Sequence, residues 1–505
     1  MSPVTAGRSY WMESVPGRAF PSLKGPVDAD VCVIGGGITG LLTAHELAAA
    51  GRTVVLLEAD RLAASVTGYT TAKLTSQHSL RYDRLARELG VDAARAYGDV
   101  NQQALDVIRR LASGLGVAED VEPRDAYVYS TRADSVADLE AEAEAAAAAG
   151  LPASFTRDVP LPFATVGAVR FADQAQIHPR TLLLALADAL EERSVRIFES
   201  SKATEVLRDG RWSVTTEQGS VSAEQVVLAT LTPAAGVGDD LWGKLYCHQG
   251  FAVALELRDE NALTGADGRG GVLISHDRPM RSVRTIRRDE GRLLQVGGAS
   301  YVADPNAGDT PYDDLEAWAR EYFDVGAALH RWTTQDYSTS DGVPLIGALD
   351  DGLFIATGFG GWGMTSGGAA AAIIRDLATG VDGAPERYRI FDPHRRLVDV
   401  DSAHISAHTS SGTDGDAREV VEALGPGQAA VVRRGGEQLA VYRASDGELR
   451  VVSAVCTHAG CIVLWDPDDE AWACPCHGSI FAPDGAVTHG PAEDPLRDLG
   501  HLLRE

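Results

Sequence analysis

The chain has 505 residues, 45% hydrophobic and 23% charged, which is enough apolar surface for several cores and excludes a disordered or fibrous protein. Forty-five Lys and Arg against 72 Asp and Glu leave a net charge of −27, a field that repels phosphates and anionic lipid, so neither nucleic acid nor membrane is expected as a partner. The N-terminus lacks a basic stretch followed by an apolar one, and no apolar run is long enough to span a bilayer, so the expected location is cytoplasmic.

From Ala29 to Glu58 the pattern reads strand (ADVCVIG), helix (ITGLLTAHELAAAG), strand (TVVLLE), one βαβ unit. Gly35, Gly37 and Gly40 lie between the first strand and the helix. In that position the first allows a tight turn, the second lets backbone approach a pyrophosphate, and the third lets helix pack on sheet. Glu58, ending the second strand, can accept hydrogen bonds from a ribose, and FAD and NAD both fit at this point.

Residues 82–115 and 134–149 read as helices, the second so rich in Ala and Glu that a solvated surface element is expected. Another helix follows at 179–192, and then a hairpin about Asp209-Gly210 with the signal of a type I′ turn. Residues 245–300 alternate as antiparallel strands do, which predicts a substrate-side sheet. At 353–379 the order strand, glycine turn, helix (LFIAT, GFGGWGMTSGG, AAAAIIRDLATG) returns the chain to α/β structure. The glycines from Gly358 to Gly363 have no strand ending in an acid at the spacing an NAD site requires. Their geometry instead suits a helix N-terminus pointed at a ligand that gains negative charge, as a reduced flavin does.

The order of four segments (GGGITG, TGYTTAKLTSQH, TTQDYSTSDGVPLIG and ATGFGGWGMTSG) across residues 28–392 resembles the FAD-dependent amine and amino-acid oxidoreductase family that includes D-amino-acid oxidase and glycine oxidase. The resemblance implies an α/β FAD-binding (Rossmann-like) domain with an antiparallel-sheet substrate domain, and oxidation of an amine or amino acid beside its nitrogen, as a dehydrogenase or an oxidase. Expected FAD-binding segments are about 28–82, 170–231 and 335–392, and the substrate domain about 83–169 and 232–334, together residues 1–392. Carried over by position, Gly35, Gly37, Gly40 and Glu58 bind the ADP half of FAD; Thr67, Gly68 and Thr71 line the diphosphate to ribityl region; Gly361, Gly363, Met364 and Thr365 face the flavin. Lys73 and His78 could tune the flavin or hold it covalently, and an ordinary surface role fits them equally. Arg281 and Arg284 could clamp a carboxylate, but a solvated basic strand with ion pairs is the expectation. No residue is singled out as catalytic.

Residues 393–415 have linker composition, and His404 and His408 with Asp399 and Asp401 are taken as part of it. The final stretch, 416–505, has short β-like runs between turns and is expected to be all-β. Four of the six cysteines fall between 456 and 476, a spacing of metal-site kind, whereas Cys32 and Cys247 suit ordinary packing. Cys456-x-His458 and Cys474-x-x-His477 give two thiolates for one iron and two imidazoles for the other. Zinc is the competing occupant of such a set, and the flanking Gly460, Gly478 and Ser479 favour a 2Fe-2S cluster.

The pattern CTHAGC with CPCHGS resembles the Rieske proteins of respiratory cytochrome bc complexes. Cys461 and Cys476 lie one in each loop, and a disulfide bond between them would tie the loops together. Ser479 is placed to donate to a cluster sulfur, while Phe481 stands where the relatives of highest potential have a tyrosine, which predicts a lower potential here. Together the two ends imply a flavin that takes electrons from a small-molecule amine or amino acid and a cluster that passes them to an external electron acceptor. An NAD(P)H-linked reductase component feeding an oxygenase, and a redox sensor, are the alternatives.

Overall fold

The computed structural model describes residues 5–193, 195–265, 268–298, 311–397, 417–434, 436–458, 460–466, 470–474, 478–490 and 492–503. The chain divides into two units. The first holds residues 1–241, 250–299 and 312–396; the second holds 242–249, 300–311 and 397–505.

In the first unit, strands whose side chains are apolar on both faces build a largely parallel sheet. Its order is Leu345–Asp350, Leu353–Thr357, Gly219–Leu231, Gly25–Ile34, Val54–Leu57, Arg196–Phe198. Val54–Leu57 is buried at every position, as a doubly covered strand requires. Helix Ile38–Ala49 lays Ile38, Leu41, Leu42 and Leu47 on this sheet, and helix Gly363–Ala378 also packs there. The hairpin Ala203–Asp209 with Arg211–Thr216 extends the sheet through Gly219–Leu231. Its turn is not type I′: that turn needs positive φ at both central residues, and only Gly210 (φ 70°) has it.

The second sheet of this unit runs from Val325–Thr339 through Leu245–Leu257, Arg292–Gly298, Arg281–Arg287, Gly271–Ser275, Val121–Ser130 and Gly167–Ile177 to Lys73–Leu74. The expected antiparallel pairing holds along most of it, but Gly271–Ser275 runs parallel to Val121–Ser130. One face packs with helix Pro311–Tyr322 through Tyr312, Leu315 and Ala319, and the other joins the core shared with the parallel sheet. Strand Val325–Thr339 crosses the expected boundary at 335, and Lys73 belongs to this sheet.

Three expectations are corrected here. The helical stretch from 82 is two helices, Tyr82–Leu89 and Val91–Gly114, broken where Gly90 takes φ 91°. Helix Val136–Ala148 is not merely a solvated element. Its Glu142 is 1% exposed and accepts the main-chain N–H groups of Arg81 (2.8 Å), Tyr82 (2.9 Å) and Asp83 (2.8 Å), the donors that the start of helix Tyr82–Leu89 leaves without partners. Strand Arg281–Arg287 is buried at every position but the last, so it is no solvated basic face.

The second unit is built on two small antiparallel sheets, Ala429–Arg434, Glu437–Arg443, Leu449–Ser453 and Leu464–Asp466, Ala471–Ala473, Ile480–Phe481, Val487–His489. One short helix, Ala417–Ala423, departs from the all-β expectation. The linker residues Asp399, Asp401, His404 and His408 lie outside the described residues.

Candidate flavin and iron-sulfur sites

The glycine turn divides its labour by sterics. A Cβ on Gly35 would lie 2.4 Å from the Ala229 carbonyl oxygen, and one on Gly40 would lie 1.8 Å from the Gly35 carbonyl oxygen, so these two glycines let strand, turn and helix touch. A Cβ on Gly37 would meet only Thr67 Oγ1, at 3.0 Å, and Gly37 as N-cap offers no side chain to the helix. Thr67 Oγ1 accepts the Ile38 N–H at 3.2 Å, which leaves the following N–H groups of the first turn to face outward beside Gly37. Glu58 accepts the Gly36 N–H at 2.6 Å and the Asp60 N–H at 2.9 Å; burial raises its carboxyl pKa above the usual value. Gly68 packs on Met12, whose Sδ would be 2.6 Å from an added Cβ, and Thr71 lies against Gly297.

At the start of helix Gly363–Ala378 the structure gathers Thr365, His78, Tyr97 and Trp362. Thr365 donates to the Thr75 carbonyl (2.7 Å), and His78 Nε2 is 3.0 Å from Thr365 Oγ1 and 2.9 Å from the same carbonyl. His78 Nδ1 is 2.5 Å from the Tyr97 hydroxyl, and its ring stacks on Trp362 at 4.8 Å. Burial holds the imidazole pKa well below its ordinary value, so the ring is neutral. Met364 is buried, Gly363 begins the helix, and Gly361, at φ 84°, donates its N–H to Asp336.

The surface role weighed for Lys73 and His78 is excluded, since both are buried. Lys73 Nζ donates to Ser282 Oγ, and burial followed by the nearby Arg284 charge pushes the ammonium down to about 7. Arg281 pairs with Asp314 at 2.6 Å. Arg284 donates to the carbonyls of Thr71 (3.1 Å), Ala72 (2.6 Å) and Ile177 (3.3 Å). Sequence reasoning missed Glu142, Tyr97 and Asp336. Of these only Asp336 left a trace, as the lone acid in the uncharged run TTQDYSTS.

In the second unit the two cysteine loops are copies of one construction. Cys456 N–H donates to the Cys461 carbonyl (2.8 Å), and Gly460 N–H returns to the Cys456 carbonyl (2.9 Å). Cys474 N–H donates to the Ser479 carbonyl (2.7 Å), and Gly478 N–H returns to the Cys474 carbonyl (2.9 Å). Both glycines take a left-handed φ, 76° and 72°, which closes each loop tightly around its cysteine. Cys456 and Cys474 are buried, and Ser479 Oγ accepts the Ala492 N–H at 3.0 Å, which leaves its hydroxyl hydrogen to donate elsewhere. Phe481 is fully buried. His458 is half-buried, with the Trp242 ring edge-on at 5.7 Å. His477 and Cys476 lie outside the described residues. Cys32 is buried, its thiol pKa raised by burial, and Cys247 is half-buried. Among the described residues no helix is long and apolar enough to cross a membrane.

Residues 30–377 match the family of FAD dependent oxidoreductases, DAO, and residues 417–500 match the Rieske [2Fe-2S] domain. The chain belongs to that oxidoreductase family and carries a Rieske domain behind it; it is an FAD-dependent oxidoreductase that binds FAD and a 2Fe-2S cluster. Over 98% of both chains it is 31% identical to a Bacillus subtilis (strain 168) protein named as a Rieske 2Fe-2S iron-sulfur protein, YhfW. It is 27% identical to gamma-glutamylputrescine oxidoreductase of Escherichia coli (strain K12), over 74% of this chain and 89% of that one. In fold, 73% of it superposes on 98% of L-proline dehydrogenase from P. horikoshii with a TM-score of 0.59 at 19% identity.

The residues present fit both groups. The helix start beside Gly37, which has no side-chain cap from Gly37 itself, with an acid one strand away, suits a dinucleotide, and two buried cysteines in matched loops suit the sulfur-ligated iron of the cluster.

Proposed function

We propose that the chain oxidises an amine or amino acid at its flavin and passes the electrons through the Rieske cluster to an external acceptor. The observation that carries this is the pairing, in one chain, of a flavin-binding turn with two matched cysteine loops that can take a one-electron centre. The names of the similar gamma-glutamylputrescine oxidoreductase and L-proline dehydrogenase support an amine-type substrate.

In this proposal Gly35, Gly37, Gly40 and Glu58 hold the ADP half, Thr67, Gly68 and Thr71 the diphosphate to ribityl region, and Gly361, Gly363, Met364 and Thr365 the ring. When bound, FAD accepts a hydride equivalent and the cluster carries single electrons. The chain's own residues orient and insulate. Thr365, His78 and Tyr97 form one hydrogen-bonded chain around a neutral imidazole, which fixes the start of helix Gly363–Ala378 without adding charge.

In the second unit Cys456 and Cys474 hold one iron and His458 and His477 the other, with Ser479 donating to a sulfur. Cys461 pairs with Cys476 in this proposal. The test is anaerobic addition of amines, N-methyl amino acids, D-amino acids and NAD(P)H to the purified protein while the flavin absorbance is recorded. Bleaching by an amine or amino acid is expected. Bleaching by NAD(P)H alone would overturn the proposal.

A further inference from the structure

On strand Val325–Thr339, Trp332, Thr334 and Asp336 occupy alternate positions and share one face. Trp332 Nε1 donates to the Tyr69 carbonyl at 2.8 Å, and Asp336 accepts the Gly361 N–H, so this face is turned toward the two segments proposed to line the flavin. Asp336 also accepts the Tyr337 N–H at 2.7 Å, and it forms no ion pair among the described residues. A carboxylate has about four acceptor sites, so two hydrogen bonds leave acceptor capacity over. Asp336 is half-buried, and desolvation of its carboxyl pushes it up to about 6.

Beside it, Thr334 Oγ1 is buried with no hydrogen-bond partner among the described residues. Gln295 is 1% exposed, and neither its amide oxygen nor its amide nitrogen has a partner there. Gln295 pairs with Ala254, whose side chain lies in the core shared with the parallel sheet, farther along this sheet than Thr334 and Asp336. Buried polar atoms of this kind are satisfied when a ligand with donors and acceptors is present.

The cations carried farther along this sheet are already engaged. Arg281 is held by Asp314, and Arg284 is held by three main-chain carbonyls with its guanidinium over the Trp11 ring at 5.2 Å. Arg284 cannot swing onto an α-carboxylate without leaving buried carbonyls unmet, whereas Arg281 is held by the half-exposed Asp314 and keeps a buried Nε–H without a partner among the described residues. Lys73 is enclosed and fastened to Ser282, and it loses its proton near neutrality. The charge this wall presents to a substrate is therefore negative.

We propose that Asp336 determines specificity by binding the ammonium group of the substrate, and that the substrate is an aliphatic amine with no carboxylate on its nitrogen-bearing carbon. The proposal rests on amine-type oxidation at the flavin and narrows its substrate class. An α-carboxylate would approach Asp336 charge against charge, and among the described residues no guanidinium is bonded to Asp336 to offset the repulsion.

The test uses the full-length FAD-loaded protein and two readouts. In the first, anaerobic flavin bleaching by butylamine and N-methylbutylamine is compared with that by alanine, sarcosine and proline. In the second, flavin difference spectra give the Kd of tetramethylammonium, which cannot be oxidised at a C–H beside a neutral amine, and of propionate. The amines are expected to bleach and tetramethylammonium to perturb the spectrum. Asp336→Asn is expected to weaken tetramethylammonium about 10- to 100-fold at unchanged FAD content, the range for losing a charged partner. Asp336→Glu is expected to restore part of that binding, and Asp336→Arg to bind propionate.

An unchanged Kd in Asp336→Asn would overturn the proposal and leave amine oxidation standing. Preferential bleaching by the α-amino acids would overturn it on the wild-type protein alone, again leaving flavin amine chemistry intact. Bleaching by neither set would remove the proposed function itself, and the proposal with it.

Discussion

Gly37 and Gly40 sit three residues apart in one turn, yet opposite outcomes are expected when each gains a side chain. A Cβ at Gly40 starts 1.8 Å from a main-chain oxygen, and the gap must open to at least 3.0 Å before any real contact distance is reached. The helix has to slide off its strand, which costs about 1–3 kcal/mol or more. At Gly37, φ is −80° and an added Cβ meets only the Thr67 hydroxyl, at 3.0 Å, which has to yield by a few tenths of an ångström, so the protein alone is expected to accept Gly37→Val far more readily than a side chain at Gly40. The valine methyl groups instead fill the space over the helix start, where the pyrophosphate is proposed to lie.

The assay is FAD content after purification, with thermal unfolding before and after added FAD. Free FAD at 100 times its Kd contributes about 2.7 kcal/mol to the native state, a rise of a few °C for a chain of this size. The wild-type apoprotein should show that rise. Gly37→Val should unfold where the wild-type apoprotein does and show no rise, with its cluster content unaltered, whereas Gly40→Ala should unfold early with or without FAD. Full flavin content in Gly37→Val would refute the placement of the site.

Four further outcomes are expected. Glu142→Ala should lower stability by about 3 kcal/mol in urea unfolding, because three main-chain N–H groups lose a charged acceptor in a buried place; a loss below about 1 kcal/mol would mean that water replaces it. Lys73 is neutral above about pH 7 when folded but keeps its proton to 10.5 when unfolded, so the unfolded state binds more protons in that window and stability rises with pH there. Lys73→Met should flatten that rise by up to about 1.4 kcal/mol per pH unit, measured as unfolding free energy at several pH values; an identical slope in the two proteins would contradict it. Cys456→Ser and Cys474→Ser should each lose iron and acid-labile sulfide, analysed chemically, while retaining FAD. Gly460→Ala and Gly478→Ala should lower cluster loading by similar amounts, each strained by about 1 kcal/mol at a left-handed φ; a large effect at one glycine only would argue against matched loops.

What was legible in the sequence was local. The glycine turn, its flanking strands and Glu58 lie within thirty-odd residues, and each cysteine loop is a short segment whose glycine must be left-handed wherever the rest of the chain goes. Residues whose meaning comes from distant partners were not legible. Arg284 reads as a solvated cation until the carbonyls of Thr71 and Ala72 arrive from more than two hundred residues away. Glu142 lies in an Ala- and Glu-rich run indistinguishable from a surface helix, and only the return of residues 81–83 to it shows why it is buried. Asp336 needed Gly361, which is close in sequence but is presented by a different element. The type I′ turn failed because Asp-Gly supplies the permissive residue without dictating the first φ.

The central claim is the direction of electron flow, from substrate through flavin to cluster. It is tested most directly by mixing the anaerobic protein with butylamine or with NADH and freezing at intervals for electron paramagnetic resonance. The expected result is a reduced Rieske signal, with its low average g-value, that grows with the amine as the flavin bleaches. In Cys474→Ser the flavin should bleach at a near wild-type rate with no such signal. A cluster signal that grows faster with NADH than with the amine would contradict the account.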